Sequence, residues 1–275
     1  MKFYVTGDKH GQFHTILENG IAHDSNNAII ILGDAGINYY LRDWDDRLKE
    51  EITQNSSCMW YIVRGNHEAR PQDCSVPYEL VWDANVGGEV YVDEEYPTIR
   101  FFKDFGEYHI DGCRVAVIGG AYSVDKWWRL ARAGVLKKSD LNYNNPKRTG
   151  WFPNEQLSAE EMKEATKLFE GNYYDLILSH TCPLSFQPTD LFLGAVDQST
   201  VDTSMERWME ELKDKMVWFI WLFGHYHNDR LERPYVEMYY NDVEALDDII
   251  LRWEAWGDGA ELDWWLQKSP NFYMK

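Results

Sequence analysis

Basic residues are few for a chain of this size. The 275 residues contain 27 Lys and Arg against 46 Asp and Glu, a formal net charge of −19 at pH 7. Affinity for nucleic acid or an anionic membrane comes largely from cationic side chains that displace counterions, so long nucleic acid and membranes are poor partners for such a chain. Cysteine is also scarce. The four, at positions 58, 74, 113 and 182, have neither CxxC spacing nor the density of a small disulfide-stapled domain, which points to reduced thiols and a cytoplasmic setting. Long apolar runs are missing. The longest, Val217 to Phe223, falls far short of the ~20 residues that span a bilayer, and the opening MKFYVTGDKH lacks the apolar stretch of a signal peptide, so a soluble, unprocessed chain is expected. Neither GxxxxGK[ST] nor GxGxxG occurs, which removes the common phosphate-cradling loops of nucleotide enzymes. The sequence is silent on oligomeric state.

What is present is the material of a globular core, with 44% hydrophobic residues. Residues 1–275 are expected to form one domain, near the upper size of a single core. Short β-branched and aromatic runs, Phe3–Val5, Ala28–Leu32, Met59–Val63, Arg114–Ile118, Leu176–Leu178 and Trp218–Phe223, are continuous rather than alternating and read as strands buried on both faces. Gln12–Ile21, Leu41–Thr53, Ser158–Phe169 and Ser204–Lys213 have helical spacing, and Ser158 with Glu161 reads as a capping box. Strands alternating with helices imply an α/β fold. In the middle, Val90–Val92, Thr98–Phe102, Glu107–Ile110 and Arg114–Ile118 follow one another without a helix, which predicts a meander and a second sheet or an antiparallel extension. Residues 125–156 carry the main basic concentration, Lys126, Arg129, Arg132, Lys137, Lys138, Lys147 and Arg148, and are a candidate cap over a site. Residues 241–275 form an acidic extension whose Trp253, Trp256, Trp264 and Trp265 read as core or dimer surface.

The chemistry is written at the strand ends. Gly7-Asp8-Lys9-His10-Gly11 follows the first run, Gly33-Asp34 the second, Gly65-Asn66-His67-Glu68 the third, Ser179-His180 a later one, and Gly224-His225-Tyr226-His227 the last. In an α/β sheet the carboxyl ends of parallel strands line one crevice. Asp8, His10, Asp34, Asn66, His180, His225 and His227 would then meet there. Two carboxylates, one amide and four imidazoles form a thiolate-free donor set suited to Mn, Fe, Zn, Ni or Co, and are enough for two ions if one carboxylate bridges.

These blocks, "GDKHG", "GDAG", "GNHE", "SH" and "GHYH", resemble in type and order those of the calcineurin-like metallophosphoesterases, over residues 7 to 227. The resemblance implies a four-layer αββα sandwich of two mixed sheets flanked by helices. It implies two divalent cations, manganese first, with Asp8, His10 and His227 on one, Asn66, His180 and His225 on the other, and Asp34 bridging. His67 would face the substrate and, as imidazolium, assist the leaving group while a metal-bridging hydroxide attacks phosphorus in line. Glu68 would support from behind.

Where the Ser/Thr protein phosphatases of that family read GDxVDRG, this chain has Ile37 and Asn38 in place of the aspartate and arginine, which argues against a phosphoprotein substrate. Another group must then grip phosphate. Arg64, Asp125 and Arg129 are the candidates, the last two in a stretch that is similar to a loop in a bacterial and phage subset of the family. The expected activity is hydrolysis of a small phosphomonoester. Alternatives are a phosphodiesterase acting on a cyclic nucleotide or nucleic-acid end, a protein phosphatase, or a metal-binding scaffold without turnover.

Overall fold

The structure, a computed structural model, describes residues 1–41, 43–74, 78–135 and 145–257. The chain opens with β1 (Lys2–Thr6), α1 (His14–Leu17), β2 (Asn27–Ile31), α2 (Asp43–Asn55) and β3 (Met59–Ile62). Here β1–β2 and β2–β3 are parallel pairs joined by crossovers. Five strands then follow without an α-helix: β4 (Tyr78–Asp83), β5 (Gly88–Asp93), β6 (Ile99–Phe102), β7 (Phe105–Ile110) and β8 (Cys113–Ile118). Next come α3 (Lys126–Arg132), α4 (Pro146–Thr149), α5 (Ala159–Phe169), β9 (Tyr173–Ser179), α6 (Ser204–Lys213) and β10 (Val217–Phe223). The described part closes with β11 (Arg230–Arg233), β12 (Val236–Met238), β13 (Glu244–Ala245) and α7 (Leu246–Gly257).

The strands form two mixed sheets, a seven-stranded one in the order β13-β1-β2-β3-β6-β5-β4 and a six-stranded one in the order β11-β12-β10-β9-β8-β7. The expected meander is divided between them. Strands β4, β5 and β6 extend the first sheet, whereas β7 and β8 begin the second, because the chain changes sheet in the two residues between Phe102 and Phe105.

Pleat alternation explains the layers. In and just after β2, Ala28, Ile30 and Leu32 enter the core between the sheets, while Ile29 and Ile31 pack outward with Leu48 and Ile52 of α2. In β10, Ile220 and Leu222 face inward, and Trp221 and Phe223 pack outward with Ala165 of α5 and Met209 of α6. The result is the four-layer sandwich. Ser158 caps α5 through reciprocal bonds with Glu161, as its spacing predicts. The segment expected to be helical over Gln12–Ile21 is instead the short α1 and a 3₁₀ turn at Gly20–His23.

The start of the acidic extension is part of this core. β13 pairs antiparallel with β1, and Trp253 of α7 is fully buried between the sheets. Its Nε1–H donates to Glu237, which with Glu244 also binds Arg252. Trp264 and Trp265, like Lys137 and Lys138 of the basic stretch, lie outside the described residues.

Candidate metal centre and substrate cavity

Both sheets deliver side chains to one place. Asp8, Asp34 and Asn66 leave the adjacent strands β1, β2 and β3, and His180, His225 and His227 leave the adjacent strands β9 and β10. The approach is close enough to exclude side chains at the glycines. A Cβ on Gly65 would lie 1.9 Å from Asp34 Oδ1, and one on Gly224 would lie 2.5 Å from Asp8 Oδ1. Four of the candidate ligands hold a backbone that L-residues seldom adopt, with φ of 48° at His10, 50° at Asp34, 71° at His225 and 52° at His227. Such conformations gather at functional sites, where surrounding structure enforces them.

The ligand atoms of Asp8, His10 and His227 lie within 4.8 Å of one another, and so do those of Asp8, Asp34 and His180. His10 Nε2 and His227 Nε2 are 3.0 Å apart. Asp8 Oδ1 accepts the His225 N–H at 2.9 Å, while Oδ2 is buried without a hydrogen-bond partner, 3.1 Å from His227 Nε2. In this arrangement Asp8, not Asp34, is common to both clusters. Asp34 stands between His180 and His67: its Oδ1 accepts the backbone N–H of His67 at 2.8 Å and lies 3.6 Å from His180 Nε2, and its Oδ2 lies 3.8 Å from His67 Nε2.

His180 tests whether cations fit. Its Nδ1 lies 2.8 Å from the Leu32 carbonyl, which can only accept, so the ring proton sits on Nδ1 and a neutral ring turns a lone pair out at Nε2. That lone pair faces Asn66 Oδ1 at 2.9 Å, and the Asn66 amide nitrogen is already donating to Ser123 Oγ. Two acceptors at that separation need a proton or a metal ion between them. With the orphaned Asp8 oxygen and the close His10–His227 nitrogens, the donor set fits divalent cations.

Electrostatics agree. Burial would raise the Asp8 and Asp34 carboxyls, but neighbouring imidazoles, His227 and His180 for Asp8 and His67 and His180 for Asp34, hold both below the usual carboxylate range. Burial opposes charge on His180, yet Asp34 and Asp8 lift it to about 9, so without a cation a second ring proton fills the gap to Asn66. Burial and the His180 charge push His225 down to about 3, leaving a neutral ring able to ligate. His67 is also shifted down, by burial first, with Asp34 pulling the other way and Arg129 adding to the fall. The imidazolium expected from sequence is therefore disfavoured in the free protein. Glu68 is fully buried, accepts the N–H groups of Gly36 and Gly65 at 3.0 Å each, and is pushed up to about 8 by burial and the Asp34 charge. It ties the second and third motifs together, the supporting place expected of it.

A cavity of about 510 Å³ opens on the cluster, lined by His10, Asp34, Asn66, His67, His225 and His227 and, from the cap, by Asp125 and Arg129. Arg129 is held in place: its guanidinium donates to Asp125, the Tyr39 hydroxyl and the Gly150 carbonyl. Arg64 is placed differently from its sequence expectation. It is 1% exposed, does not line the cavity, and donates to Asp104 and to the carbonyls of Gly65 and Glu155. Its position just before the third motif puts it under the strand exit, where it braces the loop and cannot reach phosphate. Ser123, Tyr39 and Tyr240, the last stacked on His227 at 5.0 Å, also shape the site and were not singled out from sequence. Only Ser123 had a signal, as part of the GGAYS turn at the end of β8.

A family model described as calcineurin-like phosphoesterase matches residues 1–229. Among solved structures, the phosphopantetheinyl hydrolase from Mycobacterium tuberculosis is similar, with 14% sequence identity, coverage of 87% of this chain and 88% of that one, and a TM-score of 0.41. A comparison with curated proteins gave no match.

Proposed function

The chain belongs to the calcineurin-like phosphoesterase family, and from that premise we propose that it is a two-metal phosphatase of small phosphomonoesters. Asp8, His10 and His227 would hold one ion and Asn66, His180 and His225 the other, with Asp34 as the expected shared carboxylate beside Asp8, which is common to both clusters. Manganese is the first candidate, as the family resemblance implies, and the imidazole-rich set also admits Fe, Zn, Ni or Co. When bound, such a pair of ions supplies charge neutralisation at phosphorus and an activated water.

The observation that carries the choice of a monoester is Arg129. Its guanidinium is fixed by Asp125 and Tyr39 and lines the same cavity as His67 and the candidate ligands. With Nε and Nη1 committed, Nη2 is the donor left for a phosphate oxygen, and a diester offers this cation less charge than a dianionic monoester does. His67 is left without an ion and sits where a leaving oxygen would depart. Burial disfavours its charged form in the free protein; the charge of an arriving phosphate dianion favours uptake of a proton from solvent, and the imidazolium passes that proton to the leaving oxygen and returns to the neutral ring. The free cysteines fit a cytoplasmic enzyme.

Assays with Mn²⁺ on p-nitrophenyl phosphate and its bis-ester test this. The expected result is a higher kcat/KM for the monoester. The reverse order would make the protein a phosphodiesterase, and metal bound without turnover of either would make it a scaffold.

A further inference from the structure

The same cavity extends away from the ligands into an apolar lobe, lined by Leu191, Phe192, Leu193, Val196 and Val201 from the segment between β9 and α6. Phosphate has no use for such a surface, so the lobe belongs to the group that phosphate is esterified to. One feature in it is out of keeping with its neighbours. The first turn of α6 places Glu206 on the cavity wall, where the residue is only 3% exposed. Its Oε1 accepts the Thr181 hydroxyl at 3.0 Å, one residue after His180. Its Oε2 is buried with no hydrogen-bond partner from any other residue, the backbone N–H of Glu206 itself being the other donor to the carboxylate, and among the described residues no Lys or Arg pairs with it. The nearby Tyr226 hydroxyl is engaged by Gln187 at 3.2 Å and lies 3.4 Å from Thr181 Oγ1, so it leaves Oε2 unanswered.

An acceptor kept dry and unmatched in a well-anchored position is costly unless a ligand completes it. Burial also raises the Glu206 carboxyl to about 7, against its own backbone N–H and the Thr181 hydroxyl, and an arriving N–H donor favours the ionised form that accepts it. We propose that Glu206 Oε2 accepts a hydrogen bond from a nitrogen-borne N–H on the leaving group, so that the substrate is the phosphomonoester of an apolar or aromatic body carrying an amino or amide nitrogen. The proposal rests on the phosphatase reading: the ligands, His67 and Arg129 take the phosphate, the apolar residues take the body, and Glu206 selects by its donor. Sites of this kind reject analogues that lack the donor, because binding them leaves the buried acceptor unpaired.

Two matched series test it on the metal-loaded protein: phenyl phosphate against its 3-amino and 4-amino derivatives, and purine riboside 5′-monophosphate against adenosine 5′-monophosphate. The amino member is expected to have at least tenfold higher kcat/KM in one series. Glu206→Gln keeps an oxygen for Thr181 and puts an amide NH₂ where Oε2 was, so that ratio should collapse. Should this variant not fold, Glu206→Asp, which withdraws the carboxylate, is read in the same way. Equal rates within both series in the native protein overturn the proposal. So does a preference that survives in the variants, including a uniform slowing of all esters, which a merely structural role would give. If metal is bound and no ester turns over, the phosphatase reading fails by itself. The donor preference is then read by calorimetric binding of the two purine monophosphates, where tenfold tighter adenosine monophosphate supports it and equal affinity overturns it.

Discussion

His180 donates Nδ1–H to the Leu32 carbonyl and holds Nε2 2.9 Å from the Asn66 amide oxygen, a gap that only a ring proton or a cation can fill. The pair fits a cation held between the two sheets, which is the proposed role of Asn66 and His180. Asn66→Ala should therefore bind one ion where the native chain binds two, measured as metal per chain after dialysis against Mn²⁺. Full loading of the variant would take Asn66 out of the ligand set.

Gly65 is the least replaceable small residue of the third motif. In Gly65→Ala the new methyl meets both Asp34 Oδ1 at 1.9 Å and the Asp34 nitrogen at 2.3 Å, so backbone must move and not merely a side chain. The expected cost is about 1–3 kcal/mol of stability, with loss of paired metal occupancy and of activity. A variant with native metal content and rate would show that the loops yield easily.

His67 separates chemistry from metal binding. His67→Ala should lower kcat by roughly 10²–10⁴ while its metal content stays native. An unchanged kcat would assign proton delivery to another group.

Arg129→Lys keeps the charge and loses the planar fork that Asp125 and Tyr39 orient. A drop of roughly 10–100-fold in kcat/KM on p-nitrophenyl phosphate is expected, with a smaller drop on the bis-ester. Equal losses on the two would mean that the guanidinium does not read the phosphate's charge.

Arg70, two residues past the third motif, is paired with Glu161 at the start of α5 and also bonds the carbonyls of Asn154 and Gln156. Despite burial, the pairing lowers the Glu161 carboxyl from 4.5 to about 2. A carboxyl whose folded pKa is depressed adds stability above its unfolded pKa and loses it as pH falls through the folded one. The native chain should thus exceed Glu161→Gln by about 1–2 kcal/mol at pH 7, allowing for solvent screening, and the gap should close between pH 4.5 and pH 2. Urea unfolding at pH 7 and pH 3 measures it, since more than half of the gap should be gone at pH 3, and a constant gap would show that the pair is not coupled to protonation.

Much of this was legible in the sequence because the strands that carry the site are buried on both faces. Ala28–Leu32 and Trp218–Phe223 can only be continuous apolar runs, and the polar groups after them stand out sharply. The edges of the sheets were not legible. Tyr78–Asp83 shows no clean burial period, with Leu80 and Trp82 both exposed, the latter by 70%, and Glu244–Ala245 is too short to show one. Arg64 misled for a different reason: a charged residue beside a motif reads as functional, but its partner Asp104 lies 40 residues away in sequence. Glu206 was hidden by its helix, since a glutamate in a first turn is ordinary and only the tertiary fold shows that its oxygen meets no partner.

The division of ligands between the two sheets has a thermodynamic consequence. Asp8, Asp34 and Asn66 stand on one sheet and His180, His225 and His227 on the other, so an ion bound by both acts as a crosslink across the middle of the sandwich. Such a crosslink forms only in the folded chain, and its contribution grows as the logarithm of free metal over its dissociation constant. The melting temperature of this protein should then follow the metal supply of its surroundings, rising with each tenfold increase in free ion, whether or not a substrate is present.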